Sequence, residues 1–336
     1  MLPSAASKSK PKPLSKRTPS KRTPAKATLS ERTAPKRTPS KATVSEQPLF
    51  ERPQPERSLS ERPLFEQPQT ETLPSERTPS GLVERRGERP MVEFHNVHFG
   101  YDEGVPVVSG VSFTVSRGES LVILGGSGSG KSTLLRLLMG FYRVDGGSIH
   151  FEGRDVMAQK GQALFALRRR MGMVFQEGAL FDSLTVGENV GYYLLEHGMD
   201  NPRDLPEVER RVRETLRLVG LEHCIDKMPG ELSGGMRRRV SAARTIIYSP
   251  DLILYDEPTT GLDPASCENF CGVMNDIKRE KKVASILVTH NLEDAWAVGD
   301  HFLLLRDGRS LWQGPTAGLR AMPEDTLMKF FRGEPI

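Results

Sequence analysis

Nine consecutive residues, Gly125-Gly126-Ser127-Gly128-Ser129-Gly130-Lys131-Ser132-Thr133, carry the most legible chemistry of this chain. From Gly125 to Ser132 they fit G-x-x-x-x-G-K-[ST]. Residues without a Cβ let successive backbone N–H groups converge on one anion. Lys131 would then reach the β- and γ-phosphates of a nucleotide, and the Ser132 hydroxyl would supply a hard oxygen to Mg²⁺. The flanking elements make this more than a flexible glycine loop. The apolar run Leu121-Val122-Ile123-Leu124 directly before it reads as a buried strand. Leu134-Leu135-Arg136-Leu137-Leu138 directly after it opens a helix, whose unpaired N-terminal donors and positive dipole end face the same anion.

A second apolar run, Leu252-Ile253-Leu254-Tyr255, ends in Asp256-Glu257-Pro258. Two carboxylates at the C-terminal edge of a buried parallel strand suit an α/β nucleotide site, where ligands bind beyond strand ends. Asp256 is expected to hold Mg²⁺ through water, and Glu257 to polarise an attacking water as general base. Alone, such a pair is commonly just the start of a loop; beside the phosphate loop it reads as functional.

Composition divides the 336 residues. Residues 1–90 are mostly Pro, Ser, Thr, Lys, Arg, Glu and Gln, contain no Asp, and have Phe50 and Phe65 as their aromatics. Such a segment buries too little apolar surface to offset chain entropy and is expected to be disordered. Short repeats such as Thr18-Pro19-Ser20 and Thr38-Pro39-Ser40 suit that reading. Residues 1–45 carry 12 Lys/Arg against Glu31, a net of +11, and residues 46–90 carry 7 Arg against 9 Glu, a net of −2. Removing both from the total of +4 leaves −5 for residues 91–336, so the domain expected there is mildly acidic. The tail reads as a solvated linker, a basic arm for anionic lipid or nucleic acid, or the product of a start codon placed upstream of Met91. Cys224, Cys267 and Cys271 lack metal-ligand or C-x-x-C spacing and read as ordinary reduced thiols. Neither a secretory signal nor a membrane-spanning run is present.

Between the two nucleotide motifs lies Glu231-Leu232-Ser233-Gly234-Gly235-Met236-Arg237-Arg238-Arg239-Val240. With the phosphate loop, this resembles the ATP-binding cassette (ABC) family and its L-S-G-G-x signature. The resemblance extends to Gln176 after Met173-Val174-Phe175 (the Q-loop), to Gly261-Leu262-Asp263-Pro264 (the D-loop) and to His290 after Leu287-Val288-Thr289 (the switch histidine). Tyr101 stands where the family sets an aromatic against adenine, with Phe99 as a near alternative. The resemblance implies an α/β P-loop NTPase fold. Its parts would be a mixed parallel core sheet, an antiparallel β subdomain from the early strands, and an inserted helical subdomain near 178–247. It also implies ATP and Mg²⁺ as cofactors, with Ser132, Asp256 and Gln176 at the metal, Glu257, His290 and Gln176 in catalysis, and Ser233, Gly234, Gly235 and Asp263 at the nucleotide of a second copy. Two copies would pair head to tail around two ATPs.

The segment from Phe175 to Val190 and the three arginines after Met236 look like the ATPases of Mla/Mce-type lipid transporters. Gly126, where many members have Pro, departs from the family pattern but leaves the loop usable. In the family, the insertion after the Q-loop receives a helix of the permease; Ala179, Leu180, Phe181, Tyr192, Tyr193 and Leu194 are the candidates here, against the alternative that most pack their own subdomain. Phe330 and Phe331 read as core anchors of a C-terminal helix. The expected protein is an Mg²⁺-dependent ATPase peripheral to the cytoplasmic face of the inner membrane. It would drive a separate permease for phospholipid or other hydrophobic cargo, with Mce-type substrate-binding and small accessory subunits as further partners the resemblance admits. The rival readings are a small-solute transporter ATPase, such as one for amino acids, a soluble nucleic-acid-associated ABC ATPase, and a regulator that binds ATP without turnover. The acidic balance of residues 91–336 and their single cassette speak against nucleic acid.

Overall fold

A computed structural model describes residues 89–334 apart from 103, 177 and 199–204; the tail expected over 1–90 therefore lies outside the described residues except for Arg89 and Pro90. Two sheets organise the domain. The first has strand order β2-β1-β4-β5, from β1 (Val92–Gly100), β2 (Pro106–Val115), β4 (Gly146–Phe151) and β5 (Arg154–Asp155), all antiparallel. Alternating residues of β1 point inward, and Phe94 stacks on its cross-strand partner Phe113 with ring centroids 4.3 Å apart.

The second sheet has the order β10-β9-β3-β8-β7-β6, drawn from β3 (Ser120–Leu124), β6 (Met171–Val174), β7 (Leu252–Asp256), β8 (Ala284–Thr289), β9 (His301–Arg306) and β10 (Arg309–Pro315). β9, β3, β8, β7 and β6 run parallel, and β10 closes the edge antiparallel. The parallel strands read as unbroken apolar runs because they are covered on both faces. Period-two side chains sort them cleanly. Val122, Leu124, Ile253, Tyr255, Phe302 and Leu304 enter one core, whereas Leu121, Ile123, Leu252, Leu254, Leu303 and Leu305 enter the other.

The second core packs against α1 (Lys131–Leu138) and the antiparallel sheet. The first core receives α3 (Val186–Tyr193), α4 (Leu205–Leu218), α5 (Gly234–Ile246), α6 (Pro264–Lys281) and α7 (Leu292–Val298). It also takes Leu319 of α8 (Thr316–Arg320), and Leu327 and Phe330 of α9 (Glu324–Arg332). α2 (Gly161–Arg168) precedes β6. The mixed sheet, antiparallel sheet and helices are those of the expected fold class.

Local sequence sets the helix starts that matter for the site. Thr185 and Glu188 form a reciprocal capping box at α3. Ser233 caps α5 by accepting from the Met236 amide at 3.3 Å, and Asp263 caps α6 by accepting from the Ser266 amide at 3.0 Å, with Pro264 at the first helical position. Two arginines of α5 tie it to other elements. Arg244 donates to the Ala179 carbonyl at 2.7 Å and lies over the Phe181 ring, while Arg238 reaches the turn after β7. Cys224, Cys267 and Cys271 are free thiols; Cys224 and Cys271 are buried, Cys267 only partly, and burial pushes the Cys271 thiol up to about 12.

Candidate functional site

Adjacent parallel strands deliver the candidate residues side by side. β3 ends in the glycine loop, β8 in Thr289 and His290, β7 in Asp256 and Glu257, and β6 leads to Gln176, in the spatial order β3-β8-β7-β6. The register pairs Leu124 with Thr289 and Asp256 with Val288, so the C-terminal ends are level. A cleft of about 700 Å³ opens there, lined by residues 126–133 and by Tyr101, Gln176, Glu257, Thr260 and His290. This is the crevice beyond strand ends in which α/β sheets bind ligands.

The loop's shape depends on its glycines at two points. A Cβ on Gly125 would stand 2.3 Å from the Leu305 carbonyl oxygen. Gly130, the residue before α1, has φ +97° and would meet the Val107 carbonyl oxygen at 2.8 Å. At Gly126 nothing lies within 4 Å of an added Cβ, so a side chain could be accommodated there. No side chain caps α1, so its first amides remain available to an anion. Ser129 Oγ is buried in this loop without a hydrogen-bond partner among the described residues.

Around the loop the side chains form two neighbouring groups. Lys131 Nζ donates to the carbonyls of Gly125 and Gly126, both at 2.9 Å, and pairs with Glu257 Oε1 at 3.2 Å. The Ser132 hydroxyl donates to Asp256 Oδ1 at 2.6 Å. Glu257 Oε2 accepts from Thr260 Oγ1 at 3.1 Å and lies 2.7 Å from His290 Nδ1. An ionised carboxylate can only accept, so this ring nitrogen carries the proton and Nε2 stays free for another partner. Glu257 itself has φ +47°, a left-handed conformation rare outside glycine, and its amide donates to the Val288 carbonyl at 3.0 Å.

Tyr101 presents a half-exposed ring to the cleft and its hydroxyl lies 3.1 Å from Thr133 Oγ1, whereas Phe99 is buried in the core beside it. Tyr101 is therefore the accessible aromatic of the two. Ser233, Gly234, Gly235 and Asp263 do not line this cleft. They sit at helix starts: Ser233 already accepts from its own helix, which leaves its hydroxyl proton free to donate outward. Hydrogen bonds from Ser266 hold the Asp263 carboxyl below its ordinary value and so keep it charged.

Four residues lining the cleft were not evident as site residues in the chain's motifs: Val107, Arg136, Thr260 and Phe331. Thr260 stands beside the carboxylate pair and bonds Glu257. Phe331, half-buried against the core as expected, also lines the cleft, while Phe330 is fully in the core at 3% exposure. Of the docking candidates, Leu194 is buried and Tyr193 packs on Tyr248, with ring centroids 4.5 Å apart. Ala179, Phe181 and Tyr192 are exposed, and Leu180 is half-buried against the core.

The residues fit a metal-bound nucleotide. An uncapped helix start, an orphaned buried hydroxyl and a lysine held by backbone carbonyls form a phosphate cradle. The Ser132–Asp256 pair is an all-oxygen donor set suited to Mg²⁺. Such a crevice defines a P-loop nucleotide triphosphatase domain. Residues 108–260 match the family model described as ABC transporter. MlaF of Escherichia coli (strain K12), an intermembrane phospholipid transport system ATP-binding protein, is 37% identical over 227 residues, 68% of this chain and 83% of that protein. The chain belongs to the ABC transporter family, as an ATP-binding subunit and Mg²⁺-dependent ATPase. The methionine import ATP-binding protein MetN of Brucella abortus (strain 2308) is also 37% identical, over 71% of this chain and 63% of that protein. The cassette MJ0796, solved as a dimer in a post-hydrolysis state bound to ADP and Pi, superposes with a TM-score of 0.61 at 29% identity, over 67% of this chain and 98% of that one.

Proposed function

We propose that this chain powers a membrane permease for phospholipid or a related hydrophobic cargo, working as a head-to-tail pair at the cytoplasmic face of the inner membrane. The observation that carries the ATPase core of this reading is the pairing of Ser132 with Asp256 beside the bonded group of Lys131, Glu257 and His290 at adjacent strand ends. The phospholipid assignment rests on the likeness to MlaF, whose length the chain covers further than that of MetN, and on the Met236-Arg237-Arg238-Arg239 run. No described helix is long and apolar enough to cross a membrane, so the permease would be a separate chain.

Each residue has a task its geometry allows. Residues 125–130 cradle the phosphates through backbone donors, Lys131 balances their charge, and Tyr101 offers its ring to the base. Ser132, Asp256 and Gln176 would hold Mg²⁺, which when bound would neutralise phosphate charge. Glu257 takes a proton from the attacking water, and His290, oriented by its Nδ1–H bond to Glu257, presents Nε2 toward the cleft. Ser233, Gly234, Gly235 and Asp263 lie outside this cleft, which supports their serving the nucleotide of a second copy, and the similar cassette MJ0796 is a dimer bound to ADP and Pi. Residues 1–90 are then a tail separate from a 91–336 cassette, whose insertion at 178–247 includes the docking segment. The permease would meet that segment at Ala179, Phe181 and Tyr192, where apolar surface is exposed. Mce-type substrate-binding and small accessory subunits complete the proposed assembly.

The test is transport. The full chain, reconstituted with its co-purifying membrane subunit, should move labelled phospholipid between vesicles only with MgATP, and an E257Q form should not. Uptake of methionine without lipid transfer would refute the cargo assignment.

A further inference from the structure

Three carbonyl oxygens of the turn after Glu257 converge on one side chain. Arg238, in the second turn of α5 and 8% exposed, donates from Nη1 to the Pro258 carbonyl at 2.8 Å and to the Glu257 carbonyl at 3.5 Å. Its Nη2 donates to the Thr260 carbonyl at 3.0 Å. The turn it grips is the one that holds Glu257 at φ +47° and is closed by the Thr260 amide donating to the Glu257 carbonyl at 3.3 Å. A left-handed non-glycine residue persists only where its surroundings over-determine it. A planar guanidinium with five fixed donors can address three carbonyls at once, which an ammonium or an amide cannot. Arg238 also lies five residues beyond Ser233 on the same helix, so one rigid element carries both the signature serine and the anchor of this turn.

We infer that Arg238 is a positioning residue for hydrolysis: it fixes the 257–260 turn so that the Glu257 carboxylate faces the cleft. The inference rests on Glu257 acting as the general base, and it adds what keeps that base in place. It places no demand on nucleotide binding, since Arg238 does not line the cleft.

The test is a kinetic cycle on the full chain assembled with its membrane subunit. R238M should lower kcat roughly 10- to 100-fold, the range of a lost charged hydrogen-bond set, while MgATP affinity does not weaken. R238K, which keeps the charge but not the fork, should fall between R238M and the unmodified chain. In an E257Q background R238M should produce no further loss, because a residue acting through the base has nothing left to position. Losses that multiply in the double variant, or unchanged turnover in R238M, would overturn the inference. Near-normal turnover in E257Q alone would instead remove the base reading on which it stands. If R238M fails to fold, R238K run through the same cycle decides.

Discussion

Replacing Glu257 with Gln should do more than stop turnover: it should tighten nucleotide binding. In the structure the phosphate-loop lysine is already engaged, with Lys131 Nζ 3.2 Å from Glu257 Oε1 and the two side chains 6% and 15% exposed. A nucleotide must therefore draw Lys131 away from a carboxylate before the lysine can meet phosphate. At an effective dielectric of about 20, Coulomb's law gives a gross attraction of about 5 kcal/mol at this distance. Desolvation and the retained bonds to Gly125 and Gly126 reduce it, and charged hydrogen bonds of this kind keep about 1.5–3 kcal/mol. E257Q removes the charge while preserving the shape that Thr260 and His290 contact. MgATP and MgADP should both bind at least about tenfold more tightly, since about 1.4 kcal/mol is a factor of ten. Fluorescence titration of the full chain with both nucleotides measures this directly. Tightening for ATP alone would mean that Glu257 merely repels the γ-phosphate. Unchanged affinity for both would refute the competition for Lys131. The same variant should turn over about 10²–10⁴-fold more slowly, as expected for a lost general base.

Further substitutions read other parts of the site. Tyr101→Ala should weaken ATP binding by about 5- to 10-fold, the worth of an aromatic contact, whereas Tyr101→Phe should bind nearly as well because the ring remains. Nucleotide titration separates the two. Phe181→Asp places a charge on an exposed ring at the docking segment; it should abolish co-purification of the membrane subunit while leaving the thermal midpoint within a few degrees of the unmodified chain. Hydrogen bonds from Arg210 and then Arg211 hold the Glu207 carboxyl down from 4.5 to about 2. Its contribution to α4 is therefore complete above pH 4.5 and fades as the pH falls toward 2. An acid titration at low salt, followed by circular dichroism, should show Glu207→Gln losing less helix over that window than the unmodified chain.

Much of the nucleotide cleft is legible in the sequence because its parts are local. A buried parallel strand covered on both faces must be apolar throughout, so Leu121–Leu124 and Leu252–Tyr255 stand out, and the polar residues that break each run lie at the strand end where a ligand can reach. Capping residues are equally local, and Ser233 and Asp263 announce α5 and α6. Relations across the sheet are not written in this way. Only the order β3-β8-β7-β6 brings His290 against Glu257, and nothing in either segment specifies that adjacency. The resting partner of Lys131 is hidden for the same reason: a motif names the eventual ligand of a side chain, not what it holds meanwhile. Phe331, half-buried against the core, also reaches the cleft from α9, about two hundred residues after the loop it faces, whereas its neighbour Phe330, the same residue type, is fully buried. Adjacent positions on a helix differ by about 100° in direction, and composition does not tell which of the two also reaches the cleft.

Helix α5 spans 13 residues, a strut of about 20 Å at 1.5 Å per residue. One end is capped by Ser233, and near the other Arg244 grips Ala179 and Phe181. If the proposed permease docks beside Ala179 and Phe181, a push delivered at that end of such a strut would reappear as displacement at the serine. In the proposed assembly, mechanical work at the bilayer and the closing of the twin's nucleotide pocket would then be two ends of a single lever.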